Sequence, residues 1–224
     1  MCYSAYTQSS QAKLKKRFGA TQTIGEVDVA GQISGFDHPR LPIITNEQPQ
    51  TIQYYQWGLI PAWANADQAK TLINQTLNAK SESIFEKPSF RDSILSKRCL
   101  VLVDGFFEWQ HISKQKIKHF IHLKDGEPFA MGGVWSAWRD PQTQQLKYTF
   151  SIITTEANPL MAEIHNTKQR MPLILPQSVE KTWLDPHLKR QDIQQLLIPF
   201  DQNLMQAEAI HDKPLQLGLQ LGLF

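Results

Sequence analysis

Residues 98–109 read Arg98-Cys99-Leu100-Val101-Leu102-Val103-Asp104-Gly105-Phe106-Phe107-Glu108-Trp109. The apolar run from Cys99 to Val103 is too short for a helix and reads as a strand buried within a sheet. A second strand follows from Gly105 to Trp109. Working outward, residues 118–123, 129–135 and 147–154 continue the succession of strands, and 171–175 adds another. Upstream, 53–57 reads as a strand that leads into Trp57-Gly58-Leu59-Ile60-Pro61-Ala62-Trp63, while Pro39, Pro42 and Pro49 break residues 30–57 into short extended pieces.

Helices are expected at the edges of this strand-rich centre. Residues 10–18 form a short basic amphipathic segment, capped by Ser9 or Ser10 and stopped by Gly19. Residues 66–97 are polar and helical or looped, with a helix opening near 87–91. Asn158-Pro159 combines a capping side chain with proline at the first helical position and starts a helix to about Ile164. Residues 177–197 read as two amphipathic helices. The expected class is therefore α+β, in a single domain over residues 1–224 with a C-terminal tail from 213.

The 224 residues are 41% hydrophobic and 20% charged, with a formal net charge of +2. That balance excludes a strongly basic nucleic-acid binder of the tail type, so any basic surface must be local. Two cysteines, Cys2 and Cys99, cannot build a disulfide framework. There is no run resembling a secretory signal and no apolar stretch long enough to span a membrane, so a reducing cytoplasmic setting is expected. Cys99 sits in the apolar run and is expected to be an inert core thiol.

Cys2 is different because it follows the initiator methionine. Once Met1 is removed it carries an α-amine and a thiol on adjacent carbons, with reference pKa values of about 8 and about 8.5. Together they can condense with an aldehyde, first as a Schiff base and then as a five-membered thiazolidine. Position alone does not separate this from an idle terminus. Glu108 lies among aromatics, where burial raises a carboxyl pKa and suits it to general acid–base work; a solvent-facing strand end is the competing reading. His165 closes a helix, which is a sufficient structural role and also suits a proton shuttle. In Asn78-Ala79-Lys80-Ser81-Glu82, Asn78 can donate amide hydrogen bonds and Lys80 can meet a phosphate, although an isolated polar cluster of this kind is ordinarily a surface loop. The histidines show no metal-ligand spacing. No metal site and no cofactor are expected.

These pieces, in this order, resemble the SRAP family, the SOS-response-associated peptidases or abasic-site processing proteins. The match runs through Met1-Cys2, the Trp57–Trp63 motif, residues 78–82, Gly105-Phe106-Phe107-Glu108-Trp109, and His165 with Arg170-Met171-Pro172. The resemblance implies a β-barrel-like core of mostly antiparallel strands with peripheral helices. It implies that Cys2 forms a thiazolidine crosslink with the ring-opened abasic site in single-stranded DNA, supported by Asn78, Glu108 and His165. Thr154 matches a further polar position. Lys80, Arg40 and Arg91 are expected on the DNA-binding surface, with Trp63 wedging at a duplex edge. Self-removal of Met1 and weak lyase activity are also implied, and a monomer is expected because it suits an open DNA groove. Two positions depart from the family pattern: Ser4 and Lys80 stand where arginine is usual. A cysteine peptidase acting on other proteins through Cys2 is the alternative, and a binding module with an idle Cys2 is a third reading.

Overall fold

The computed structural model describes residues 2–25 and 30–210. Five strands close on themselves. Arg40–Thr45 pairs with Thr51–Trp57 and with Arg98–Val103; Arg98–Val103 pairs with Phe129–Arg139; and Phe129–Arg139 pairs with Leu146–Glu156, all antiparallel. A parallel contact, Thr149↔Gln56 and Phe150↔Trp57, joins the last strand back to Thr51–Trp57 and completes the ring. The α+β reading with a barrel-like, mostly antiparallel core is thus correct. The tail expected from residue 213 lies outside the described residues.

The opening run behaves as its composition requires. Arg98–Val103 is buried at every position. Cys99, Val101 and Val103 face one apolar cluster with Ile43, Trp57, Met131 and Phe150, while Leu100 and Leu102 face a second with Ile94, Trp183 and Ile193 from the helices. A strand covered on both faces cannot show alternation, and its apolar run is the sequence consequence.

A second, antiparallel sheet has the order Met205–Ile210, Gln115–Leu123, Gly105–Ile112, Ser4–Thr7, Gly31–Ser34. It carries Glu108 and begins one residue pair after Cys2. The helices are Gln11–Phe18, Ala66–Gln75, Arg91–Ser96, Pro159–Ile164, Gln177–Trp183 and Arg190–Leu196. The first is capped by Ser10 and ends on Gly19 at φ 66, as its sequence predicts. Among the described residues no helix is long and apolar enough to cross a membrane.

Gly58 ends the Thr51–Trp57 strand at φ +111, and a Cβ there would stand 2.5 Å from the Ile73 carbonyl oxygen. Only glycine fits that close approach. The turn it permits lets the Trp57 indole donate to the Leu77 carbonyl at 2.8 Å, and Leu77 is the residue before Asn78. The Trp57–Trp63 motif therefore acts structurally on the short strand Asn78–Lys80.

Candidate active site

Cys2 is fully buried. Its carbonyl accepts a hydrogen bond from Asn78 Nδ2 at 2.9 Å. Asn78 is held in place because Asn78–Lys80 pairs in parallel with Leu146–Glu156, matching Asn78 to Ile152 and Lys80 to Thr154. The surface-loop reading of this cluster is thereby replaced by a strand. Asn78 Oδ1 is buried with no hydrogen-bond partner among the described residues, so the site keeps one open amide acceptor. Burial, and secondarily the Glu108 charge, push the Cys2 thiol up to about 12. At neutral pH the sulfur is a thiol, and its attack on any electrophile needs a proton acceptor.

Glu108 and His165 face each other, with Oε1 and Nδ1 3.9 Å apart and both side chains 7% exposed. Glu108 lies on Gly105–Ile112, and His165 caps the C-terminus of Pro159–Ile164. The distance is that of an ion pair, but desolvation drives both groups toward neutrality. Burial raises Glu108 to about 7 and lowers His165 below the usual imidazole range. His165 Nδ1 is 2.8 Å from the Arg170 carbonyl, which can only accept, so Nδ1 carries the proton and Nε2 is the basic atom of the neutral ring. A carboxyl tuned upward beside an imidazole tuned downward is an arrangement able to give and take protons near neutral pH.

The raised Glu108 pKa has a consequence for stability. Between the ordinary pKa of 4.5 and about 7 the folded chain holds a proton that the unfolded chain releases, so stability falls as pH rises through that window. Glu108→Gln cannot ionise. It is expected to stabilise the fold by about 1–3 kcal/mol at pH 8 and to leave it nearly unchanged at pH 4. Denaturant melts at the two pH values check this, and an equal change at both would disconnect Glu108 ionisation from folding.

A cleft of about 420 Å³ opens onto this pair, lined by Tyr3, Glu108, His111, Lys116, His165 and Lys168 among others. Tyr3, Lys116 and Lys168 were not singled out from sequence. Lys116 faces His111 across a hairpin whose turn residue Ser113 has φ 55, a position usually given to glycine or asparagine. The same register sets His119 opposite Glu108. A larger hollow of about 490 Å³, lined by Tyr6, Lys13, Asp104, Phe120, His122 and Glu208 among others, contains none of the candidate residues.

The expected DNA-binding residues separate. Lys80 is exposed at the end of the Asn78 strand, and Arg40 is exposed at the start of Arg40–Thr45. Trp63 is 51% exposed, with its indole N–H 3.3 Å from the Pro88 carbonyl, which places it beside the segment that leads to Arg91. Arg91 lies 3.8 Å from Asp92. Thr154, expected on the binding surface, is fully buried because its strand is flanked by Asn78–Lys80 and Arg170–Pro172. Its hydroxyl accepts from Arg170 Nε at 3.3 Å, and Arg170 also forks onto Glu82 at 2.6 and 2.9 Å. Thr154 therefore holds Arg170, whose carbonyl fixes the His165 ring. Ser4, lacking the family's arginine, is buried and accepts from Gln32 Nε2 at 3.1 Å; Lys118 donates to the Gln32 oxygen. Among the described residues no group of three or more His, Cys, Asp or Glu could hold a metal ion.

Residues 1–213 match the family described as SOS response associated peptidase (SRAP). The chain belongs to that family. Among similar proteins, "Abasic site processing protein YoqW" of Bacillus subtilis is 40% identical over 169 residues, covering 75% of this chain and 72% of the relative. "Abasic site processing protein HMCES" of Gallus gallus is 32% identical over 151 residues, covering 58% of this chain and 44% of that longer protein. A solved structure from Bacteroides thetaiotaomicron superposes with TM-score 0.88 at 39% identity, covering 94% of this chain and 93% of that one. This SRAP chain thus shares its fold across nearly its whole length with that protein.

Proposed function

We propose that this SRAP protein captures abasic sites in single-stranded DNA as a covalent thiazolidine on Cys2. The observation that carries the reading is the setting of Cys2: a residue next to the initiator methionine, buried with its carbonyl tied to Asn78, beside a Glu108–His165 pair poised for proton transfer. Relatives named as abasic site processing proteins support the substrate class.

Loss of Met1 turns the Cys2 nitrogen from an amide into an amine. His165 Nε2 takes the anomeric hydroxyl proton of the closed deoxyribose hemiacetal and returns it to the ring oxygen as the C1′–O4′ bond breaks, which opens the sugar to the aldehyde. The Cys2 amine adds to C1′, and Glu108 in its acid form protonates the departing hydroxyl, releasing water and leaving the iminium. The Cys2 sulfur then adds to the same carbon while its proton passes to the Glu108 carboxylate, which closes the ring. Asn78 fixes the Cys2 carbonyl so that amine and thiol both face the bound sugar. Lys80, Arg40 and Arg91 contribute phosphate contacts, joined by Lys116 and Lys168 on the cleft walls. Trp63 supplies an exposed ring for the edge of a duplex. In the same reading the sulfur adds to the Met1 carbonyl carbon, its proton passes through Glu108 to the departing Cys2 amine, and water hydrolyses the resulting thioester, which gives a route for self-processing. A peptidase acting on other proteins fits less well, since attack on an amide calls for a thiolate of lowered pKa and the Cys2 pKa is raised, whereas an iminium is electrophilic enough to take the thiol as its proton leaves to Glu108.

The test is to mix the processed protein with a single-stranded oligonucleotide carrying one abasic site. A heat-stable adduct is expected whose mass is the sum of the two components less one water. An oligonucleotide with a tetrahydrofuran analogue, which has no aldehyde, should give none. Absence of an adduct with the true abasic site would overturn the reading.

A further inference from the structure

Beside the cleft, the Tyr3 and Phe36 rings lie against each other with centroids 4.9 Å apart and planes inclined by 37°. Tyr3 is half-buried and lines the cleft with Glu108 and His165. Phe36 is 57% exposed, one of the most exposed large apolar side chains among the described residues. It is not on a loose loop. The Gly35 N–H donates to the Tyr3 carbonyl at 2.8 Å, the Phe36 N–H donates to Ser34 Oγ at 3.3 Å, and the His38 N–H donates to the Gly35 carbonyl at 3.1 Å. His38 turns the chain at φ 50, with its Nδ1 2.8 Å from the Trp57 carbonyl. A Cβ on Gly35 would lie 3.1 Å from the Trp57 indole, so the turn rests flat on the buried Trp57 ring. The fold thus builds a fixed turn that presents a phenyl ring to solvent against Tyr3, the residue after Cys2.

We propose that the Tyr3–Phe36 ring pair is the platform on which the nucleobase adjacent to the abasic nucleotide stacks. This rests on the abasic-site reading. An abasic nucleotide leaves a gap in the base stack, and the neighbouring base loses one of its stacking faces. An aromatic pair anchored on the residue that follows the reacting cysteine replaces the missing neighbour, and stacking tolerates any base because every base has a π-face. The contact orients the strand by its base, while the lysines hold it by its phosphates. Neither ring is charged at neutral pH, since burial and then the Glu108 charge raise Tyr3 above its ordinary pKa.

The experiment measures binding of single-stranded oligonucleotides that carry a central tetrahydrofuran site, with and without the flanking base. Phe36→Ala is expected to weaken binding about 5- to 150-fold when both neighbouring bases are present, the range expected for one lost base stack. Its salt dependence should remain that of the wild type. The loss should vanish on one of two oligonucleotides in which the 5′ or the 3′ neighbour is itself replaced by the spacer, and that arm names the side. Phe36→Trp should retain affinity. Equal binding by Phe36→Ala and wild type, or an equal loss on all three oligonucleotides, overturns the platform. Wild-type protein that forms no adduct with a true abasic site instead overturns the function proposed above. An intact wild-type adduct with an unaffected Phe36→Ala variant removes only the platform.

Discussion

The Cys2→Ala protein, mixed with abasic single-stranded DNA, is expected to give heat-stable adduct only at background level. It keeps an N-terminal amine after Met1 loss, so it still condenses with the aldehyde, and the resulting imine should be trappable by borohydride. Without sulfur the imine has two fates, hydrolysis and β-elimination. Strand cleavage should therefore rise as the stable adduct disappears. Cys2→Ser separates the role of sulfur from that of side-chain volume. Its hydroxyl is a weaker nucleophile in the same place, and the ring it closes is an oxazolidine, so its adduct should fall between the two on heating. The fold should tolerate both changes, because Cys2 precedes the first strand and its contact with Asn78 runs through the backbone carbonyl. Unchanged DNA binding in the noncovalent assay would confirm that. A heat-stable adduct of wild-type yield in Cys2→Ala would place the bond on another residue and end the assignment of Cys2.

The parts of this site differ in how far the sequence exposes them. Arg98–Val103 is legible because a strand buried on both faces must be apolar nearly throughout, and that constraint is local. The helix Pro159–Ile164 is legible because Asn158 and Pro159 are chemically specific to a helix start, with Asn158 Oδ1 accepting from the Met161 N–H at 2.9 Å. Asn78–Lys80 is not legible as a strand. It has three residues and exists only by parallel pairing with Ile152–Thr154, a contact across more than seventy positions. The burial of Thr154 follows from the same pairing and was hidden for the same reason. The parallel closure between Thr51–Trp57 and Leu146–Glu156 leaves no local mark either. The hairpin that carries Lys116 and His119 lacks the usual turn residues, so its register, and with it the neighbours of Glu108, could not be placed. Phe36 carries no local mark that sets it apart in the sequence. Only the turn packed on Trp57 shows that it is held outward.

The second large effect concerns the same strand that opens the fold. Arg98 is fully buried, and its guanidinium makes four hydrogen bonds to backbone carbonyls. Nη1 donates to Ile94 and Leu95 at 3.0 and 2.9 Å, Nε donates to Trp183 at 2.9 Å, and Nη2 donates to Asp185. Ile94 and Leu95 lie in the last turn of Arg91–Ser96, Trp183 ends Gln177–Trp183, and Asp185 follows it. Carbonyls at helix C-termini lack intrahelical partners and form the negative end of the helix dipole. One guanidinium therefore caps two helices and fastens both to the barrel. Burial lowers its pKa, but an arginine stays charged. Arg98→Met keeps most of the volume and removes every donor, leaving the carbonyls desolvated and unmatched, at an expected cost of about 3–5 kcal/mol. Arg98→Lys keeps the charge but cannot fork across two helix ends, and should lose about half as much. Equilibrium denaturation of both variants tests the assignment, with Arg98→Lys giving the reading if Arg98→Met does not fold. A loss below about 1 kcal/mol in Arg98→Lys, with Arg98→Met no worse, would mean that water satisfies these carbonyls as well as the guanidinium does, and that the helices are held by their apolar faces alone.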